Sequence, residues 1–219
     1  MAGGRQHRQI YDRVILDLCG GTGSWSRPYR EAGYDVRLIT LPEQDVRWFQ
    51  KLDRPVHGVL AAPPCTHFSM GGNWLWKEKD ADGRTVEGVS IVDACLRIIQ
   101  VHDPVWWCLE NPAGRLQRWL GEPKYTFHPY EYGDPWPKKT CLWGDFTIPE
   151  KDPVDPTYDN FWVRDVKLGP KDTSGGTYVK QHAPDSLRPV LDQSDALSRK
   201  DMRAITPPGF ARAFFEANP

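Results

Sequence analysis

Val56-His57-Gly58-Val59-Leu60-Ala61-Ala62-Pro63-Pro64-Cys65-Thr66-His67-Phe68-Ser69 is the stretch from which the rest of the chain is read. The short apolar run over residues 56–60 predicts a buried strand. Two prolines then end it, because neither can donate an N–H to a ladder and both have a fixed φ. The next residue, Cys65, is set at the carboxyl end of that strand. In open α/β sheets this is the end where ligands bind. A stiff dipeptide holding one thiol there suits covalent catalysis, in which the nucleophile must be kept in attack geometry. A solitary cysteine is more often a small buried hydrophobe. The company of Cys65 decides between the two.

Upstream, Val14-Ile15-Leu16-Asp17-Leu18 is an apolar run broken by one aspartate. Cys19-Gly20-Gly21-Thr22-Gly23-Ser24 follows and turns into a helix that Gly33 ends. A second strand is expected over residues 35–40. Glycines in such a turn let the backbone approach a ligand closely, so a cofactor can pack against it. Many glycine turns only close a βα unit, and the following strand favours the cofactor site here.

Downstream, residues 43–54 read as a short amphipathic helix or turn. Residues 70–84 are Gly-Gly-Asn-rich, with Trp74, Trp76 and alternating charges, and show no period; a mobile loop is expected there. Val89, Val92, Leu96 and Ile99 recur at helical spacing, which predicts an amphipathic helix over 86–102. Val105-Trp106-Trp107-Cys108-Leu109 is another buried strand and ends in Glu110-Asn111-Pro112. If the two strands are parallel and adjacent, thiol and carboxylate emerge on one edge of the sheet. A short helix over 115–120 and two strands, over 124–128 and 138–144, would close the sheet in antiparallel fashion. Residues from 145 to about 198 are rich in Pro, Asp and Gly and lack periodicity, which suggests a small loop-dominated lobe. Thr206-Pro207-Pro208 then starts a helix with Phe210, Phe214 and Phe215 facing inward.

With 219 residues the chain suits one domain with a small appended lobe. A net charge of −1 argues against a uniformly basic nucleic-acid coat and leaves room for a local basic groove. Five cysteines without CxxC spacing, and no signal peptide, point to reduced thiols in a cytoplasm rather than to disulfides or a metal. No apolar run reaches the length of a membrane span.

Taken together, Asp17-Leu18-Cys19-Gly20-Gly21-Thr22-Gly23, Pro63-Pro64-Cys65-Thr66-His67-Phe68-Ser69 and Glu110-Asn111-Pro112 resemble the C5-cytosine DNA methyltransferases in order and spacing. Arg203-Ala204-Ile205-Thr206-Pro207-Pro208-Gly209-Phe210-Ala211-Arg212 is similar to that family's late helix start. The resemblance spans about residues 13–144 and 198–215. It implies an α/β fold with a doubly wound, mostly parallel sheet, the class I S-adenosylmethionine-dependent methyltransferase fold. It divides the chain into a catalytic and cofactor-binding core over 13–144, a small target-recognition-like lobe over 145–197, and a returning C-terminal helix within 198–219.

By the same resemblance Cys65 adds to C6 of cytosine, making an enamine whose C5 attacks a methyl group. Glu110 hydrogen-bonds or protonates ring N3 and takes up the charge that develops. S-adenosylmethionine would lie over the turn formed by Asp17, Leu18, Cys19, Gly20, Gly21, Thr22 and Gly23, with Thr40, Asp45 and Pro63 as further contacts. The partner would be duplex DNA with a flipped-out cytosine, since a stacked base is out of reach. Three features differ from the family pattern. Cys19 stands where phenylalanine is usual, Thr40 stands where an acidic residue ends the second strand, and Trp136-Pro137-Lys138-Lys139-Thr140 stands where Gln-x-Arg-x-Arg is usual. Thr140 therefore matches the arginine that holds the cytosine carbonyl, with Lys138 the nearest cation.

The expected activity is methylation of DNA cytosine C5. The same chemistry on RNA, or on a single-stranded or free cytosine nucleotide, is the alternative that near-neutral charge and a small lobe favour. A homologue that binds cofactor or DNA without turnover is the third, and an intact Cys65 and Glu110 oppose it. A phage or prophage source suits the small size. Phosphate contacts would fall to Lys138 and Lys139, to Lys77, Lys79 and Arg84 on the 70–84 loop, and to Arg164, Lys167, Lys171 and Lys180 in the lobe.

Overall fold

The computed structural model describes residues 12–156 and 204–219. Six strands form one mixed sheet in the order β2-β1-β3-β4-β6-β5. They are β1 (Val14–Leu18), β2 (Asp35–Ile39), β3 (Val56–Ala61), β4 (Trp106–Pro112), β5 (Tyr125–Phe127) and β6 (Thr140–Asp145). β2, β1, β3 and β4 run parallel to their neighbours, and β6 lies antiparallel between β4 and β5. The sheet is thus the α/β arrangement expected, with the antiparallel end where it was expected. Leu18 pairs with Ala61 and Ala61 pairs with Leu109, so the carboxyl ends of β1, β3 and β4 are level.

Both faces of the sheet are covered, and the period of two along β1 shows it. Val14, Leu16 and Leu18 pack with Val92, Cys95, Ile98 and Ile99 of a long helix, α3 (Arg84–His102). Ile15, between them, joins Trp25, Tyr29, Phe210 and Phe214 on the other face. Tyr29 belongs to the short helix α1 (Arg27–Glu31), and the two phenylalanines belong to the C-terminal helix α5 (Pro208–Ala217). Phe210 and Phe214 are fully buried, whereas Phe215 is half-buried against Tyr29. The buried Asp134 carboxylate accepts a hydrogen bond from Gly209 N at 2.8 Å and so caps α5.

Two segments differ from expectation. Residues 70–84 are not a loop: a 3-10 segment (Met70–Leu75) runs into the helix α2 (Trp76–Ala81), and α3 begins at Arg84. Arg84 pairs with Glu78 and with Asp82, and Lys79 is buried with its Nζ on Thr66 O. β4 also runs on through Glu110, Asn111 and Pro112, because β6 pairs with it there: Glu110 stands opposite Leu142, and Pro112 opposite Thr140. Arg164, Lys167, Lys171 and Lys180, and most of the expected lobe, lie outside the described residues. No helix among the described residues is long and apolar enough to cross a membrane.

Candidate active site

The exit of β1 is built around Asp17, which is fully buried. Ser26 Oγ donates to Asp17 Oδ2 at 2.5 Å, and Oδ1 has no hydrogen-bond partner among the described residues. Burial pushes the carboxyl up to about 6, while the Ser26 hydrogen bond and the Arg30 charge pull the other way. Gly20 lies directly on this carboxylate, and a Cβ there would sit 2.3 Å from Oδ1. The turn that follows needs left-handed backbone at Cys19 (φ 58°), Gly21 (φ 55°) and Gly23 (φ 68°). Two of the three are glycine, which takes that conformation without the Cβ clash; Cys19 is the exception.

This turn is tied to its neighbours through the backbone. Cys19 N donates to Ile39 O at 2.8 Å, Gly21 N to Thr40 Oγ1 at 3.3 Å, and Gly23 N to Gly20 O at 2.9 Å. Leu18 is buried and its carbonyl accepts from Ala62 N at 2.9 Å, which joins the β1 exit to the β3 exit. The C-terminal segment reaches the same place, with Thr206 N donating to Ser24 Oγ at 3.0 Å. Around Gly21 a Cβ would meet nothing within 4 Å among the described residues. Thr22 is half-buried within the turn. Asp45 stands farther along, at the start of a 3-10 turn (Val46–Trp48), where its carboxylate caps Arg47 N at 2.9 Å and pairs with the Arg47 guanidinium. Those hydrogen bonds hold its pKa below the usual carboxylate value.

At the exit of β3, Pro63 is buried and Cys65 half-buried. Cys65 opens a single 3-10 turn (Cys65–His67), in which Phe68 N and Ser69 N both donate to Cys65 O at 2.9 Å. β4 is the adjacent parallel strand, so the condition for bringing the thiol and the carboxylate to one edge is met. The two exits are joined by Asn111, whose Nδ2 donates to Pro63 O at 2.9 Å. Asn111 is fully buried, and the sequence alone gives it no role. Its only signal there was its place between Glu110 and Pro112.

Burial raises the Glu110 carboxyl above its ordinary value, with the Lys138 charge acting against that rise. Lys138 is half-buried on the segment leading into β6, and its charge acts on Glu110. Thr140 is buried and its hydroxyl donates to Lys138 O at 3.1 Å, which supports the backbone that carries this lysine. One sheet edge thus carries a thiol, a carboxyl that holds a proton more firmly than usual, and an ammonium. Such a set can add a nucleophile to an electron-poor ring, supply a proton to a ring nitrogen, and hold an anionic oxygen or phosphate.

No family model matches the chain, and no curated protein matches it. Among solved structures, it is similar to a provisionally assigned DNA modification methyltransferase encoded within an Escherichia coli prophage. The two are 19% identical with a TM-score of 0.44, over 65% of this chain and 53% of that one. The chain therefore matches about half the length of that structure.

Proposed function

We propose that the protein is an S-adenosylmethionine-dependent methyltransferase that modifies C5 of cytosine in DNA. The observation that carries this is the pairing of β3 with β4, which sets Cys65 and Glu110 at neighbouring strand exits joined by the Asn111–Pro63 hydrogen bond. Cys65, as thiolate, forms a bond to C6 of the cytosine. Glu110 donates its proton, or a hydrogen bond, to N3 and so takes up the charge that sulfur addition pushes into the ring. C5 is then the nucleophile of an enamine. After methyl transfer, loss of the C5 proton to water, return of the N3 proton to Glu110 and expulsion of Cys65 Sγ as thiolate restore the aromatic ring. Lys138 and Thr140 belong to the same edge, with Lys138 the cation for the cytosine carbonyl.

The residues of the β1 exit fit the cofactor. An orphaned, fully buried carboxylate oxygen on Asp17 suits a ligand that carries N–H donors and positive charge. The exposed backbone of Gly21 suits close approach, and Gly20 and Gly23 shape the turn that presents it. Leu18, Cys19, Thr22, Thr40, Asp45 and Pro63 complete the proposed contact set, and the bound cofactor would supply the electrophilic methyl. Core, lobe and returning helix keep the bounds 13–144, 145–197 and 198–219.

A second substrate class has one observation in its favour. Lys79 and Arg84 are engaged within the protein, which thins the cations beside Cys65 and suits a small or single-stranded cytosine nucleotide. Incubation with methyl-labelled S-adenosylmethionine and duplex DNA, single-stranded DNA, RNA or deoxycytidine nucleotides tests both. Label on C5 of duplex DNA cytosine is the expected result. Label confined to free nucleotide would move the substrate, and label on no cytosine would end the proposal.

A further inference from the structure

The turn that carries Cys65 is held from beneath by two buried cations. Arg115, whose side chain is 2% exposed, follows β4 and precedes the short helix α4 (Gln117–Leu120). Its Nε donates to His67 O at 2.9 Å and its backbone N donates to Phe68 O at 2.8 Å. Lys79 of α2 is 4% exposed, and its Nζ donates to Thr66 O at 2.6 Å. Three consecutive carbonyls after Cys65 are therefore each taken by a donor on another element.

The far end of Arg115 is anchored with equal care. Nη1 donates to both carboxylate oxygens of Asp80, at 2.8 and 3.0 Å, and Nη2 donates to Thr85 Oγ1 at 2.7 Å. The Thr85 hydroxyl donates in turn to Asp80 at 2.6 Å. The guanidinium also lies 4.9 Å from the centre of the Trp76 ring. Gly114 allows the chain to pass this close, for a Cβ there would lie 2.0 Å from Phe68 O. A buried arginine that spends its whole fork on one loop carbonyl, one carboxylate and one hydroxyl fixes geometry in a way that a flexible ammonium cannot.

We infer that Arg115 and Lys79 are positioning residues, which hold the backbone of the Cys65 turn so that the thiol keeps one attack direction. The inference rests on the methyltransferase function proposed above. Neither side chain touches the substrate; both act through the carbonyls of Thr66 and His67. The positive surroundings are felt at His67, where burial lowers the imidazole pKa and Lys79, Arg84 and Arg115 lower it further, against Glu87.

Arg115→Lys and Lys79→Met test this by two readouts, amide hydrogen exchange of residues 65–70 and the kinetics of methyl transfer. The expected result in each variant is exchange at least about tenfold faster in that segment, with α3 unchanged. Transfer should slow on the order of 10²-fold in kcat, because a small misplacement of a nucleophile is enough for that. KM and cofactor affinity should stay within about threefold, which a general loss of structure would not allow. Unchanged exchange in both variants, or faster exchange with unaltered kcat, would overturn the inference. A wild type that methylates no cytosine substrate overturns the proposed function instead, and the exchange comparison then decides the clamp by itself.

Discussion

Asn111 Nδ2 donates to Pro63 O at 2.9 Å, and this one bond joins the exit of β4, where Glu110 stands, to the prolines that deliver Cys65. The partner has no easy substitute. Pro63 and Pro64 lack N–H groups, so the chain after β3 cannot continue the ladder to hold itself in place. Removing the donor should therefore cost more than an average hydrogen bond. Asn111→Leu keeps the volume and leaves Pro63 O buried without a donor, which should lower stability by about 1–3 kcal/mol. Urea unfolding measures it. The turnover number should fall more than the substrate KM rises, since the distance from Cys65 to Glu110 would no longer be held.

Asp17 predicts a pH dependence of the cofactor-free protein. Its carboxyl pKa is raised on folding, from 3.8 to about 6, so the folded chain binds this proton more tightly than the unfolded one. The stabilisation is complete below about 3.8 and is lost as the pH rises through about 6. It amounts to on the order of 3 kcal/mol. Asp17→Asn should flatten that part of the stability curve and be more stable than wild type at pH 8, while binding S-adenosylmethionine more weakly. Thermal unfolding of both proteins from pH 4 to pH 8 checks the sign.

Glu110 and Lys138 make a second, kinetic prediction. Burial raises the Glu110 pKa and Lys138 restrains the rise. Lys138→Met removes the restraint, so the limb of the rate profile that reports Glu110 should move to higher pH. Glu110→Gln should abolish that limb and lower the rate of chemistry much more than binding, because charge at N3 arises only in the transition state. Profiles of kcat/KM against pH for the three proteins separate these outcomes. A limb that stays in place in Lys138→Met would contradict the electrostatic pairing.

The glycine turn gives a contrast within two adjacent positions. Gly20→Ala would place a methyl 2.3 Å from the Asp17 carboxylate, so the buried group must shift. Gly21→Ala meets no atom within 4 Å and bears only the strain of a φ of 55°, about 1–2 kcal/mol. Gly20→Ala should therefore weaken cofactor binding far more for a similar or larger loss of stability. Titration calorimetry with S-adenosylmethionine, beside unfolding curves, checks the order.

The strands were legible in the sequence because they are apolar runs that end in glycine or proline, as residues 14–18 and 56–60 do. The long helix was legible because Val92 and Ile99 bury at helical spacing. The segment over 70–84 was not, for a physical reason: its fixed contacts are polar. Lys79 on Thr66 O, and Arg84 on Glu78 and Asp82, leave no hydrophobic period to read. Arg115 stayed hidden likewise, since a buried guanidinium looks in sequence like a surface charge. In the candidate site, Cys65 and Glu110 could be found as motifs, and Lys138 could be named as a nearby cation from family spacing. The Asn111 bond could not be found so, because it needs the register of β3 against β4. Asp45 was expected at the cofactor, and its carboxylate is engaged with Arg47, as the capping position favours.

The central claim is that Cys65 attacks cytosine C6, and trapping tests it most directly. In DNA carrying 5-fluorodeoxycytidine the fluorine on C5 cannot leave as a proton does, so the thioether to C6 persists after methyl transfer. Wild-type protein, this DNA and S-adenosylmethionine should give a covalent complex, and peptide mass mapping should place it on Cys65. Cys65→Ser should form none and transfer no methyl, since a serine hydroxyl without a strong base is a far weaker nucleophile. A complex that forms equally well in Cys65→Ser, or is mapped to another residue in the wild type, would contradict the account.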